Sequence, residues 1–244
     1  MPWPANMLAT LRTRLSFLLL AAALAGPAAH AQDAAQLDHA YQAALQAESD
    51  ALRTRIQKWP PAMQALNSQV SAALRAGNRD EARRLAENMA RQEPGNADVK
   101  LFLGKLQGQQ GNMAAALDLF GQSIALDPGN KWAYINKAGA QAERSDMPNA
   151  LATTRALTAR FPDWSIGYNL QASLLDAMDR EAEALDAYAK AVRAKPASAL
   201  ILTNLGNLQR RLGRLDDARL SYEAALRVQP GYAYTETQLA SMPR

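Results

Sequence analysis

The sequence predicts an all-α protein built as an array of stacked helix–turn–helix units. Three observations carry that expectation. Pro94, Pro128, Pro162, Pro196 and Pro230 stand 34 residues apart, and a fixed period of that length marks repeated supersecondary units. Ala82, Ala116, Ala150, Ala184 and Ala218 keep the same period, as expected where the two helices of a unit cross too closely for a larger side chain. Hydrophobic residues make up 48% of the chain but aromatics only 6%. The apolar content is therefore mostly Ala and Leu, which suits closely packed helices.

The first element in chain order is a targeting segment. Arg12 and Arg14 precede the run Leu15–Gly26, apolar except for Ser16, and Pro27 and Ala29-His30-Ala31 follow it. A basic region, an apolar region and a small-residue cleavage site in that order read as a signal peptide over residues 1–31, cleaved after Ala31. The expected product is soluble, and periplasmic or secreted. The apolar run falls short of the ~20 residues needed to cross a bilayer, so no integral span is expected after cleavage. Residues 1–31 contain no acid, so losing Arg12 and Arg14 lowers the formal charge from +4 to +2. With both signs mixed along the helices, this is an ordinary solvated surface, and no nucleic-acid partner is expected.

Residues 32–62 read as an N-terminal capping helix. No Pro or Gly occurs from Asp33 to Lys58, and Leu37, Tyr41, Leu45, Leu52, Ile56 and Trp59 draw one apolar stripe. Asp33 is a candidate N-cap, and Pro60-Pro61 stops the helix. The cap is expected over the first repeat. A coiled-coil role is disfavoured by the short, Ala-rich seam.

Placing each ladder proline at position 32 gives five frames: 63–96, 97–130, 131–164, 165–198 and 199–232. Gly77, Gly111 and Gly213 fall between the two helices of their frames, where the chain needs a left-handed residue to reverse. Phe120, Tyr188 and Tyr222 follow the recurrent alanine by four residues, on the same helical face. The third frame departs from the pattern, with Ser145 for the turn glycine, Thr154 for the aromatic and Leu157 for a small residue. Easiest local opening is expected there. Residues 233–244 restart a first helix, with Leu239 and Ala240 at packing positions, and read as a short C-terminal capping segment.

Leu202, Leu205, Gly206, Ala218, Tyr222, Ala225 and Pro230 reproduce the large-x-x-Leu-Gly, Ala-x-x-x-aromatic, Ala and Pro pattern of the tetratricopeptide repeat. Leu103, Gly104, Gly111, Ala116, Phe120 and Pro128 do so in the second frame, and Tyr168, Ala184, Tyr188, Ala191 and Pro196 in the fourth. The chain thus resembles a tetratricopeptide repeat protein of the exported, bacterial periplasmic type. The resemblance implies a right-handed α-solenoid of five units that acts as a scaffold for protein–protein interaction.

Chemistry-bearing residues are few. The chain has no Cys, and of its two histidines, His30 and His39, only His39 is left once residues 1–31 are cleaved, so thiolate and His-pair metal chemistry have no ligands to use. No phosphate loop, carboxylate pair or nucleophile–His constellation stands out. No enzymatic activity, cofactor or metal is therefore expected. If positions 4, 7, 8 and 11 of each first helix pack inward, positions 2, 5, 9 and 12 line the concave groove. These include Asn67 and Ser71, and the candidate partner-binding set is Leu101, Lys105, Trp132, Ile135, Ile166, Asn169, Leu200, Thr203, Asn207 and Arg210. The apolar members in the middle of that set and the basic or amide members towards its ends suit an amphipathic or extended protein segment. The ordered Lys and Asn spacing with which related repeats clamp a terminal carboxylate is not present.

The expected function is a periplasmic adaptor that binds a peptide or protein segment, by resemblance in pilus, envelope or secretion-complex assembly. The alternatives are a structural subunit that self-associates through the array ends into a homo-oligomer, and the non-catalytic repeat arm of a glycosyltransferase-type system.

Overall fold

A computed structural model describes residues 38–243; the expected signal peptide and Asp33 lie outside them. The described residues form helices without strands. A leading helix, α1 (His39–Gln57), is followed by five pairs. These are α2 (Pro61–Arg75) with α3 (Arg79–Gln92), α4 (Ala97–Gln109) with α5 (Met113–Leu126), and α6 (Lys131–Glu143) with α7 (Met147–Arg160). Then come α8 (Ser165–Ala177) with α9 (Glu181–Arg193), α10 (Ala199–Arg211) with α11 (Leu215–Val228), and a last helix, α12 (Ala233–Ala240). Four pairs lie within their 34-residue frames, while the first starts at Pro61, two residues before frame 63–96 and inside the expected 32–62 cap, because proline is tolerated in the first turn of a helix. The ladder prolines fall two or three residues beyond the second helices, where a missing N–H costs no helical bond.

Each hairpin turns on the same residue of its frame. Position 15 is left-handed in all five: Gly77, Gly111 and Gly213 at φ 73°, 83° and 76°, and Ser145 and Asp179 at 63° and 55°. The next residue's N–H bonds back to the carbonyl five residues earlier, as Asn78 to Ala73, Asn112 to Gln107, Asp146 to Gln141, Arg180 to Leu175 and Arg214 to Gln209, each at 2.9 Å. This is the long bond of the Schellman motif, and it satisfies carbonyls that the helix end would otherwise leave open. Asn78 and Asn96 cap the starts of α3 and α4 with their side chains, and Ser198 caps α10.

The recurrent alanines Ala82, Ala116, Ala150, Ala184 and Ala218 are all fully buried. At position 8 the partner helix carries Gly104, Ala138, Ala172 and Gly206, and Val70 in the first frame. A Cβ on Gly104 would lie 2.7 Å from the Phe120 ring, and one on Gly206 would lie 2.6 Å from the Tyr222 ring. These two glycines are needed because an aromatic ring of the second helix lies against the first helix's backbone.

The chain divides into two compact units, and the described parts are Ala47–Ala150 in the first and 38–46 with 151–243 in the second. In the first, Trp59, Met63, Val70, Leu85, Met89, Val99 and Leu106 form the core, with Ile56 packed against it. In the second, one cluster joins Ala199, Leu202, Ala225 and Tyr232, and another joins Ala218, Tyr222 and Met242, with Leu239 against it. Leu239 thus packs from α12, whereas Ala240, also read as a packing position, is exposed. Leu212, Leu215, Leu220 and Val228 stay exposed in and beside α11.

Candidate protein-binding surface

The groove candidates of the first unit are covered. Leu101 and Ile135 are buried, Trp132 is 6% exposed and Lys105 8% exposed. The Trp132 indole Nε1 has no hydrogen-bond partner, and neither does Oδ1 of the nearby-in-sequence Asn130 or Asn136. Burial pushes the Lys105 ammonium down to about 8 from its ordinary 10.5. In the second unit Ile166, Asn169 and Thr203 are buried, while Leu200, Asn207 and Arg210 are half-buried. Asn67 and Ser71 of the first repeat are half-buried as well.

In the second unit the chain's own terminal segments meet several of these candidates. There the Asp38 carboxylate accepts from Ser198 Oγ at 2.6 Å and from the Leu200 backbone N–H at 2.8 Å. It also caps its own helix by accepting from Tyr41 N at 2.6 Å. Asn169 Nδ2 lies 3.4 Å from the Tyr41 hydroxyl, and Asn169 Oδ1 accepts from Asn204. Burial raises the Tyr41 phenol's pKa, with the Asn169 contact opposing. At the other end of α10, Thr203 bonds to Thr235, Asn207 donates to the Tyr234 hydroxyl at 2.8 Å, and Arg210 donates to Ser241 at 2.7 Å. The Tyr222 hydroxyl donates to Asn207 at 2.7 Å. Asn207 therefore joins the second helix of its own repeat to α12.

In the first unit Arg55 forms a two-pronged pair with Asp98, at 2.9 and 2.8 Å, and Glu48 pairs with Lys131. Asn130 Nδ2 adds a third donor to Asp98 at 3.1 Å. The Asp98 pairing raises the Arg55 pKa, burial opposing. The leading helix thus does more than cover the first repeat. Ile56 and Trp59 join that repeat's core, but the polar side chains of α1 reach repeats two and three in this unit and, in the second unit, repeats four and five.

Sequence reasoning did not single out Asp98, although it stands at position 2 of its frame, the register of Trp132, Ile166 and Leu200. An acid at a groove position was the available sign. Glu48 likewise interrupts the apolar stripe of α1 on the stripe's own face. Among the described residues no group of three or more His, Asp or Glu could hold a metal ion, and no helix is long and apolar enough to cross a membrane.

An array of helical hairpins, whose first helices present polar groups to another helix, is the architecture of a repeat scaffold for protein interaction. The chain belongs to the tetratricopeptide repeat family, whose sequence models match residues 67–131 and 169–233, and 109–174. It is similar to the cellulose synthase operon protein C of Pseudomonas fluorescens (strain SBW25), 34% identical over 140 residues. That match takes in 54% of this chain and spans only 11% of the relative's length. Among solved structures it is similar to MamA (41-end) from Desulfovibrio magneticus RS-1, with a TM-score of 0.56 and 21% identity over 69% of this chain and 97% of that one. A tetratricopeptide repeat protein from Parabacteroides merdae superposes with a TM-score of 0.60 and 17% identity, over 72% of this chain and 70% of the other. These structural likenesses concern the fold.

Proposed function

We propose that the protein is a periplasmic interaction scaffold that holds a partner's protein segment against the inner faces of its first helices, in pilus, envelope or secretion-complex assembly. One observation supports this reading: Asp98 in the first unit, and Asn169, Leu200, Thr203, Asn207 and Arg210 in the second, stand at positions read as lining the groove and bond to the chain's own terminal segments. The surface that seats Glu48 and Arg55 in the first unit, and separately the surface that seats Asp38 and Tyr41 in the second, each have donors, acceptors and apolar ground of the kind that would seat a foreign amphipathic helix. Leu101, Trp132 and Ile135 in the first unit, and Ile166 and Leu200 in the second, supply the apolar ground. Lys105, Asn169, Thr203, Asn207 and Arg210 supply the polar groups. The basic and apolar N-terminal run supports export, and the role asks for no catalysis, cofactor or metal.

The name of the Pseudomonas relative favours a second reading, a non-catalytic repeat arm serving a glycosyltransferase-type system. The two part in one experiment. The purified chain is titrated with an array of amphipathic helical peptides, beside Leu200→Glu, which places a charge at a half-buried inner position. The scaffold reading expects peptides that bind the unmodified chain and lose at least about tenfold in affinity with the variant, the cost of a charge in an apolar contact. No peptide binding, with co-purification of a glycosyltransferase from the native envelope, would favour the second.

A further inference from the structure

In the second unit the repeats hold the start of α1 as they would hold a ligand. Asp38 is 1% exposed, and its carboxylate sits at the N-terminus of α10 on Ser198 Oγ and the Leu200 N–H. First-turn N–H groups and the helix dipole favour an anion there. Three residues on, the buried Tyr41 meets Asn169, which Asn204 holds in turn. These receptor groups belong to the inner helices α8 and α10 and to the residue that caps α10.

Yet α1 is poorly built as a permanent core element. Tyr41 is the one buried residue among its nineteen, whereas α6 buries ten of thirteen. Its Leu45, Leu52 and Ile56 are only half-buried, so less apolar area leaves water when α1 docks than when a core helix does. The Arg55–Asp98 and Glu48–Lys131 pairs add to its hold, but local release of α1 while the repeats stay folded costs less than opening a helix such as α6.

We infer that α1 is a displaceable stand-in, and that its seat on α8 and α10 recognises a partner protein's helix with a carboxylate at its N-cap and a tyrosine three residues later. The inference rests on the scaffold reading above. A second copy of this chain is the weaker candidate, because its α1 would repeat contacts already satisfied within one chain at a high effective concentration. A different chain must bind the seat better than α1 does. Its apparent affinity is then lowered by the small fraction of molecules whose seat is open.

The probe is a labelled peptide of residues 36–58, titrated by fluorescence anisotropy against the full chain and against Asp38→Ala with Tyr41→Ala. That variant weakens the hold of α1 but keeps Asn169, Ser198 and the Leu200 N–H. The variant is expected to bind the peptide at least about tenfold more tightly than the unmodified chain, as removal of a competing intrachain occupant requires. A peptide carrying the same two substitutions should lose that gain. Equal binding by both chains, or by both peptides, overturns the inference.

Hydrogen exchange on the unmodified chain tests release without depending on how the variant folds. Amides of α1 are expected to exchange at least about tenfold faster than those of α8 and α10; equal rates would mean that α1 leaves only with the whole fold, and would overturn the inference. A concentration-dependent dimer with exchanged α1 helices would assign the seat to a second copy and overturn it too. If array peptides bind while both Asp38/Tyr41 comparisons fail, this inference falls and the scaffold reading stands. If neither binds, both fall.

Discussion

At Asp179 the backbone sits at φ 55°, and at Ser145 at 63°, in the slot that Gly77, Gly111 and Gly213 fill in the other repeats. A side chain there pushes Cβ against its own carbonyl, a cost of roughly 1–2 kcal/mol that a short polar residue reduces. Asp179→Gly should therefore stabilise the chain by about 0.5–1 kcal/mol, after the added entropy of an unfolded glycine is subtracted. A urea midpoint shifted upward would show it, and a midpoint shifted downward would mean that the Asp side chain is holding the turn. Gly206 tests the opposite case. Its Cβ would meet two Tyr222 ring atoms at 2.6 and 2.8 Å and the Ala218 carbonyl oxygen at 3.2 Å. Since Tyr222 is fully buried and tied to Asn207, it cannot swing away cheaply. Gly206→Ala should destabilise by about 1–3 kcal/mol through overpacking, read from the same denaturation curve.

Among the elements, the hairpins were legible because their period repeats one set of physical needs: a small crossing residue, a reversing residue and a proline stop. Ser145 is visible as the replacement of a turn glycine, whereas Asp179 hides the reversal of the fourth repeat, though its place in the frame marks it. The role of α1 was less legible. Its stripe of Tyr41, Leu45, Leu52 and Ile56 says only that one face seeks a surface. It does not name that surface, because the bonds it makes join residues as far apart as Asp38 and Leu200. Register picks out Asn169, Thr203, Asn207 and Arg210, which bond to the terminal segments, but it does not say what they bond to. One element expectation awaits measurement: α7, which carries Thr154 and Leu157 and in which the boundary between the two units falls, should open most easily among the repeat helices. Two of its buried threonines, Thr154 and Thr158, stand where the other repeats carry Ala86, Phe120, Tyr188 and Tyr222, and Ala90, Ile124, Val192 and Leu226, respectively. Hydrogen exchange slower in α7 than in α3 and α11 would contradict this.

For the molecule as a whole, stability should rise with pH where most proteins are level. Lys105 is buried, with its pKa pushed down to about 8. A folded value below the unfolded one means that the unfolded chain holds the extra proton between about pH 8 and 10.5, so stability rises with pH across that window. Below pH 8 both states are protonated and the burial cost stands in full, up to about 3 kcal/mol for a gap of this size. The buried phenols of Tyr41, Tyr188 and Tyr232 act in the other direction. Their raised values withhold ionisation in the folded state, so stability falls once the unfolded chain's tyrosines ionise, near pH 10. Urea midpoints should climb from pH 8 to a maximum near pH 10. Lys105→Met should be more stable than the unmodified chain at pH 7 and should lack the climb; an unchanged slope would contradict the assignment.

Met242 closes the last cluster by packing its thioether against Ala218 and Tyr222. Oxygen added to that sulfur would turn an apolar plug into a polar sulfoxide at a site that excludes water. In an oxidant-rich compartment, α12 would be the first element to fray. Thr203, Asn207 and Arg210 would then lose their partners on that helix and its flank, and one oxidised atom would uncover the inner end of the final repeat.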